Sequence, residues 1–382
     1  MKILIDLTSL YDHISGIERY AMEISLSMIK THPENKYVLV FKNQIDENYS
    51  RRLKDINRNY ECDGKITTYV ISSGKGQIVN KLIFSQLKLP LFLYGQKADA
   101  YMFMAFPEPL LFFNRRIYTT VHDMSPWECA DTMKTFSRWY FRLSWGHAFL
   151  FARRILTVSR FSGSRIMKLA HVSKNRLWLI RDGISGRKAN HTDICHAKEK
   201  YKLPDSYIMT LSTIEPRKNM SLLVRAYSEL IDEGYDIPDL VLVGRNGWKN
   251  EALFKDCSEK AREHIHMLGF IDNEETVGVY GGARLFVFPS IYEGFGMPPL
   301  EAMKAGCIVV SSDAASMPEV LGDSAIYFKS QDLDDLKQKM LYALGLDEIS
   351  CNEYMLAGFN QADKYIWDQE ADKLCNRLET ML

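Results

Sequence analysis

Short apolar runs alternate along the whole chain with stretches whose apolar residues recur at helical spacing, and this alternation restricts the fold more than any other feature. In the first half, runs at 1–7, 37–41, 66–71, 99–103, 117–121, 155–158 and 177–180 read as strands. Helical spacing covers 17–30, 78–94 (broken by Pro90), 134–151 and 162–169. In the second half, strands are expected at 207–211, 239–243, 264–268, 285–288 and 308–311, and helices at 220–233, 251–260, 274–281, 299–304 and 333–343. Alternation sustained in both halves is the pattern of parallel, doubly wound sheets. A chain of 382 residues also exceeds one ordinary core. The expectation is therefore α/β, with two doubly wound Rossmann-like domains joined by the polar, pattern-poor stretch 183–204. Ligands of such sheets bind at the carboxyl ends of strands, which directs attention to the loops found there.

The most informative of these loops lies in residues 285–301, LFVFPSIYEGFGMPPLE. An apolar strand gives way to a loop carrying Glu293, a Gly-Phe-Gly turn, a Pro pair and Glu301 at a helix start. Glycines let backbone N–H groups approach a ligand, and a helix N-terminus favours negative charge such as diphosphate. The arrangement suits a molecule anionic in its middle and rich in hydroxyls at both ends, and a nucleotide sugar is such a molecule. Glu293 and Glu301 could alternatively form a general acid–base pair, and Glu301 could be an ordinary dipole partner in a first helical turn.

Three other strand ends carry chemistry. Glu215-Pro216-Arg217-Lys218-Asn219 follows the strand 207–211. Arg217 there could grip phosphate as a fork and Lys218 as a point charge; the alternative is solvated surface. His122-Asp123 follows the strand 117–121, where His122 could donate to or polarise a hydroxyl or simply be satisfied by Asp123. The loop after the first strand, DLTSLYDHISGIERY, holds the single glycine Gly16 and lacks the Gly-x-Gly-x-x-Gly spacing of a dinucleotide fold.

Net charge is zero but unevenly spread. Residues 1–186 carry 27 Lys+Arg against 16 Asp+Glu, a balance of +11, and the remainder carries 21 against 32, or −11. A basic first half fits an anionic partner such as a membrane surface or a lipid diphosphate. Its basic residues are interspersed with carboxylates and form no long run, so nucleic acid is not the expected partner. The seven cysteines form no Cys-x-x-Cys pair, which fits reduced thiols rather than a zinc site or a disulfide framework. MKILIDLTSL is too short and acidic for a signal peptide, and no apolar run approaches the roughly 18 residues of a spanning helix. The expected location is the cytoplasm, with any membrane contact peripheral on the inner face.

Taken together, TVSRFSGSRI (157–166), STIEPRKNMSLLVRAY (212–227), LVGRNGW (242–248), LGFIDNEE (268–275) and the long segment 289–328 resemble glycosyltransferase family 4, the retaining family with the GT-B fold. The resemblance spans nearly the whole chain. It implies two Rossmann-like domains facing a central cleft: 1–185 binding the acceptor, 186–361 binding the nucleotide sugar, and a final helix, 362–382, crossing back to the first domain. It further implies that Arg217 and Lys218 bind the donor diphosphate and that Glu301 binds the ribose hydroxyls. Glu293 and the backbone of Gly294, Phe295, Gly296 and Met297 would hold the sugar, with Leu300 beside them in the donor site. Gly16 would face the diphosphate and His122 the anomeric centre. No metal or other cofactor is implied. Two positions depart from the family pattern: Glu18 replaces a second glycine, and Arg181-Asp182 replaces Pro-Asn.

The expected activity is retaining transfer of a hexose, mannose from GDP-mannose in the first instance, to a glycan acceptor linked to a lipid diphosphate in cell-surface polysaccharide or O-antigen assembly. A GT-B nucleotide-sugar epimerase and a non-catalytic nucleotide-sugar-binding subunit are the alternatives.

Overall fold

The structure of the protein, a computed structural model, describes all residues except 11–15, 61, 63, 74–77, 246–252, 273–274 and 382. The chain divides into two compact units, one comprising Met1–Gly183 with Ile366–Leu382 and the other Ile184–Tyr365.

The first unit is built on β1 (Lys2–Asp6), β2 (Lys36–Lys42), β3 (Ile66–Ile71), β4 (Ala100–Phe103), β5 (Ile117–Thr120), β6 (Arg154–Thr157) and β7 (Leu177–Leu179). The sheet runs β3-β2-β1-β4-β5-β6-β7, and every neighbouring pair is parallel. Strands β4 and β5 are buried along their full length, as strands covered on both faces must be. The edge strand β3 carries Thr67, Thr68 and Tyr69 at exposed positions. Strand order reverses between β1 and β4, which places the ligand-binding crevice of such a sheet there. The helix Thr135–Phe151 packs Trp145, Ala148 and Phe149 into the core beside Phe103, Ile117 and Ile155. The last helix, Trp367–Glu379, lies along Gly16–Thr31, with Lys30 Nζ 2.5 Å from Asp368 Oδ2 and His32 Nε2 3.0 Å from Asp372 Oδ1.

The second unit contains β8 (Tyr207–Leu211), β9 (Asp239–Val243), β10 (Ile265–Gly269), β11 (Leu285–Phe288), β12 (Val309–Ser312) and β13 (Ile326–Phe328). Their order is β10-β9-β8-β11-β12-β13, again all parallel. The chain winds outward from β8 and then returns to start again at β11, so the switch point lies between these two strands.

Several expectations change. The stretch 183–204, read as a linker, contains the helix His191–Tyr201, opened by a reciprocal capping box of Asn190 and Asp193. Few of its residues are apolar, so its burial is not visible as periodicity. It is achieved by close approach instead: a Cβ on Gly278 would lie 2.3 Å from the Asp193 carbonyl oxygen, and one on Gly281 2.2 Å from Ala189 Cβ. The expected helix 251–260 is a short turn, Glu259–Arg262, and residues 251–252 lie outside the described residues. The helix 78–94 is interrupted ahead of Pro90 rather than at it. A π-helical turn, Phe84–Lys88, joins Ile78–Ile83 to Leu89–Gly95, where the proline ring would otherwise clash with a carbonyl four residues back. The helix Glu47–Asn59 lies outside the expected elements although Tyr49, Leu53 and Ile56 recur at helical spacing, because these are its only apolar residues; the helix Glu348–Ala362 and the strand β13 carry too little periodic signal to have been read. Among the described residues no helix is long and apolar enough to cross a membrane.

Candidate active site

At the switch point of the second unit, the loops after β8 and β11 are tied together. The chain leaving β8 forms a single 3₁₀ turn, Pro216–Lys218, which Asn219 ends in the left-handed conformation (φ 53°) before the helix Met220–Asp232 begins. Asn tolerates that conformation better than most residues. The Ile291 N–H, after β11, donates to the Arg217 carbonyl at 3.0 Å. The Arg217 side chain returns the connection: Nη1 lies 2.8 Å from the Tyr292 carbonyl and 3.3 Å from Glu293 Oε2. Its Nε and Nη2 both point at Glu215 Oε1, at 3.2 and 2.9 Å.

Lys218 Nζ lies 2.6 Å from Glu293 Oε1, which also accepts from Ser290 Oγ at 2.6 Å. Burial would push the Glu293 carboxyl up. The charges of Lys218 and Arg217, with the hydrogen bonds from Lys218 and Ser290, outweigh it and hold the group below the usual carboxylate range. An ionised Glu293 cannot itself serve as the general acid of a glycosidase-like pair. Two cations and two carboxylates, Glu215 and Glu293, stand here in balance. An incoming diphosphate could recruit the cations only by exchanging these contacts.

The helix Met297–Ala305 starts from Gly296, whose φ of 95° is accessible to glycine at little cost. Pro298 and Pro299 have no N–H, so this start offers the amides of Gly296 and Met297. Ser316 Oγ lies 3.0 Å from the carbonyls of both Glu293 and Phe295, which fixes the path of the Gly294–Phe295 segment. The Phe295 ring packs edge-on to Tyr365 at 5.2 Å. Leu300 is fully buried, so its side chain belongs to the interior. Glu301 Oε2 lies 3.4 Å from the Tyr280 hydroxyl and is half-buried.

His122 and Gly16 belong to the first unit. His122 follows β5; its Nε2–H donates to the Met104 carbonyl at 2.8 Å, and its own carbonyl accepts from Ser162 Oγ at 2.9 Å. Burial lowers its pKa, outweighing the Met104 contact and the Asp123 and Glu18 charges. A neutral ring with this tautomer presents Nδ1 as an acceptor, the opposite polarity to a donor. Gly16 opens the helix Gly16–Thr31, and the loop before it, 11–15, lies outside the described residues.

Arg217, Lys218 and Glu293 are thus brought into one ion-paired cluster, with Gly294, Phe295, Gly296 and Met297 on the adjoining segment. Sequence reasoning missed Ser290 and Ser316 and did not assign Glu215 a role. Strand-end serines are common, and no local pattern distinguishes these. Of the quoted motifs, residues 246–248 of LVGRNGW and 273–274 of LGFIDNEE lie outside the described residues. What remains of the first is a tight crossing. Gly244 (φ 141°) donates to the Gly269 carbonyl, and a Cβ on it would stand 1.8 Å from the Ser212 carbonyl oxygen.

The family described as "Glycosyl transferases group 1" matches residues 193–354. The chain is 34% identical over 258 residues to the O-antigen chain mannosyltransferase B of Escherichia coli, covering 66% of this chain and 67% of that protein. It is 31% identical over 229 residues to the serotype-specific mannosyltransferase WbdA of Escherichia coli, a match to 58% of this chain but only 28% of that longer protein. The structure of Alr3699/HepE from Anabaena, in complex with UDP-glucose, superposes with a TM-score of 0.73 at 14% identity over the full length of both chains.

Proposed function

The chain belongs to the group 1 glycosyl transferases and has their GT-B fold, and from that premise we propose that it moves a hexose from a nucleoside diphosphate sugar to a glycan acceptor with retention of configuration. Mannose from GDP-mannose is the proposed donor sugar, supported by the names of the relatives in Escherichia coli. The observation that carries the reading is the cluster of Arg217, Lys218 and Glu293 at the switch point between β8 and β11, where a parallel sheet binds its ligand.

In the proposed reaction the bond between the anomeric carbon and the diphosphate oxygen breaks, and its electron pair stays with the phosphate. The acceptor oxygen forms its new bond on the face the phosphate leaves, and its proton passes to the departing phosphate oxygen. Arg217 and Lys218 meet the charge that grows there, and electrostatic help of this kind is commonly the largest catalytic term. As the diphosphate takes up the two cations, Glu293 turns its lone pairs to a sugar hydroxyl. Glu301 and the Tyr280 hydroxyl are proposed to hold the ribose. His122 Nδ1 is proposed to accept from a substrate hydroxyl. With two cations at the phosphate, the reaction is proposed to proceed without a metal. The acceptor is proposed to be linked to a lipid diphosphate at an anionic membrane surface, supported by the +11 balance of residues 1–186.

The test is a donor screen: nucleoside diphosphate release from a panel of donors, with and without a lipid-linked acceptor, in the wild type and in Glu293→Ala and Lys218→Ala. Acceptor-dependent release from one donor, lost in both variants and insensitive to chelator, is the expected result. Turnover without acceptor would mean an epimerase or hydrolase, and binding without turnover would leave a donor-binding subunit.

A further inference from the structure

Many of the exposed large apolar side chains of the first unit gather on one surface. On the helix Thr135–Phe151, Phe136, Trp139, Leu143 and Leu150 are 60–74% exposed. Their spacing places them along one stripe, away from the buried Trp145, Ala148 and Phe149. The loop 106–113 continues the surface. Phe106 stacks on Phe141 at 6.1 Å, and Phe113 meets Phe151 edge-on at 5.2 Å. The helix Leu89–Gly95 extends it further. Its Tyr94 hydroxyl donates to the Leu111 carbonyl at 3.1 Å and accepts from the Phe113 N–H at 2.9 Å, and Leu91 beside it is 73% exposed. Leu111 and Phe113 themselves stand half out of the protein. Three separate segments therefore share one apolar face, larger than isolated surface residues would make.

The charge on this face is predominantly positive. Residues 78–97 and 134–151 contain no carboxylate, and 106–116 contain only Glu108. Glu108 is buried and turned inward, accepting from Thr119 Oγ1 at 2.5 Å with His147 Nδ1 3.1 Å away. Lys88, Arg115, Arg116 and Lys134 are exposed. The Arg138 and Arg142 guanidiniums lie 5.9 and 5.7 Å from the Trp139 ring centroid. Apolar and aromatic tips flanked mainly by cations, with Asp99 3.3 Å from Arg116 and Asp131 exposed at the margin, suit the boundary between lipid headgroups and acyl chains.

We propose that this surface, formed by the helix Thr135–Phe151, the loop 106–113 and the helix Leu89–Gly95, docks the first unit on an anionic lipid bilayer. Trp139, Leu143 and Leu150 enter the interface, and Arg115 and Lys134 meet the headgroups. The inference extends the membrane-side acceptor proposed above, but its residues are separate from the donor cluster, so the two readings fail separately.

The experiment is sedimentation of the full chain with vesicles of phosphatidylcholine mixed with phosphatidylglycerol, against phosphatidylcholine alone. The expected result is preferential binding to the anionic vesicles. Trp139→Ser with Leu143→Ser should weaken it, and so should Arg115→Glu with Lys134→Glu, each by roughly tenfold or more. All four positions are exposed, so thermal midpoints should stay put, and nucleoside diphosphate release to a water-soluble acceptor should persist without vesicles. Failure to sediment with either vesicle, or binding indifferent to both double substitutions, would overturn the proposal. So would a dimer in light scattering that Trp139→Ser with Leu143→Ser dissolves in the absence of any vesicle binding, because the face would then be covered by a second copy.

Discussion

Lys218 Nζ and Glu293 Oε1 lie 2.6 Å apart although 75 residues separate them in sequence. Both side chains are mostly buried, at 15% and 9% exposure. The pair joins the loop after β8 to the loop after β11, so one contact both closes the switch point and sets the charge of the candidate site. A buried pair is weak evidence of net stability, because desolvation offsets most of the attraction. Removing one partner is another matter, since the survivor keeps its burial and loses part of its compensation; without Lys218, Glu293 keeps only Arg217 at 3.3 Å and Ser290 at 2.6 Å.

Lys218→Met should therefore destabilise the second unit by on the order of 3 kcal/mol, and Lys218→Met combined with Glu293→Gln by clearly less than the two single changes together. Urea denaturation of the four proteins measures the coupling. Simple additivity would mean that the pair is a solvated contact. The pH dependence has a definite sign. Glu293 is held below its unfolded value, so its contribution is present above the unfolded pKa of about 4.3 and lost as pH falls through the folded one. The stability gap between wild type and Glu293→Gln should shrink in acid and stay level at neutral pH.

If Arg217 meets charge that grows in the transition state, Arg217→Lys keeps the charge but not the fork that reaches the Tyr292 carbonyl, Glu293 and Glu215 together. The expected loss is roughly a hundredfold in kcat with a smaller change in donor affinity. Steady-state kinetics with the donor found in the screen separates the two. A rise in KM with kcat unchanged would assign Arg217 to ground-state binding alone.

The strands were legible because each parallel strand, covered on both faces, must be apolar along its length, as LFVF at 285–288 is. The helix His191–Tyr201 was not, because only Ala197 of it is buried and it docks through the close approach of Gly278 rather than by presenting an apolar stripe. Within the candidate site, Arg217, Lys218 and Glu293 could be picked out as types at strand ends, but nothing local says which carboxylate meets which cation. Glu215, Ser290 and Ser316 acquire their roles only from contacts across loops, and the tautomer of His122 only from the Met104 carbonyl eighteen residues back.

Gly296→Ala separates two effects that its neighbourhood superimposes. A Cβ there would lie 2.4 Å from Met317 Cε, yet that atom is the end of a flexible side chain and can move. The φ of 95° cannot be relieved in the same way, so backbone strain should dominate, at roughly 1–2 kcal/mol. Adding Met317→Ala should then recover little of the lost thermal stability. Full recovery would show that the side-chain clash was the whole cost.

Asp182, beside the end of the first unit's longer segment at Gly183, supplies the opposite pH sign. Its carboxyl is buried, and Oδ1 has no hydrogen-bond partner among the described residues. Burial pushes its pKa up to about 8; the Arg19 charge opposes the shift and the Glu370 charge adds to it. A carboxyl raised in the folded state favours folding fully only below its unfolded pKa of about 3.9, and this contribution is lost as pH climbs through the folded value. Each pH unit in that window is worth about 1.4 kcal/mol. Asp182→Asn cannot ionise, so its thermal midpoint relative to wild type should rise steadily between about pH 4 and about pH 8 and then level off. Any constant cost or gain from the amide itself shifts the whole curve without changing its slope. A flat difference across that range would mean that Asp182 is ionised in the folded protein, with a partner close enough to keep it so.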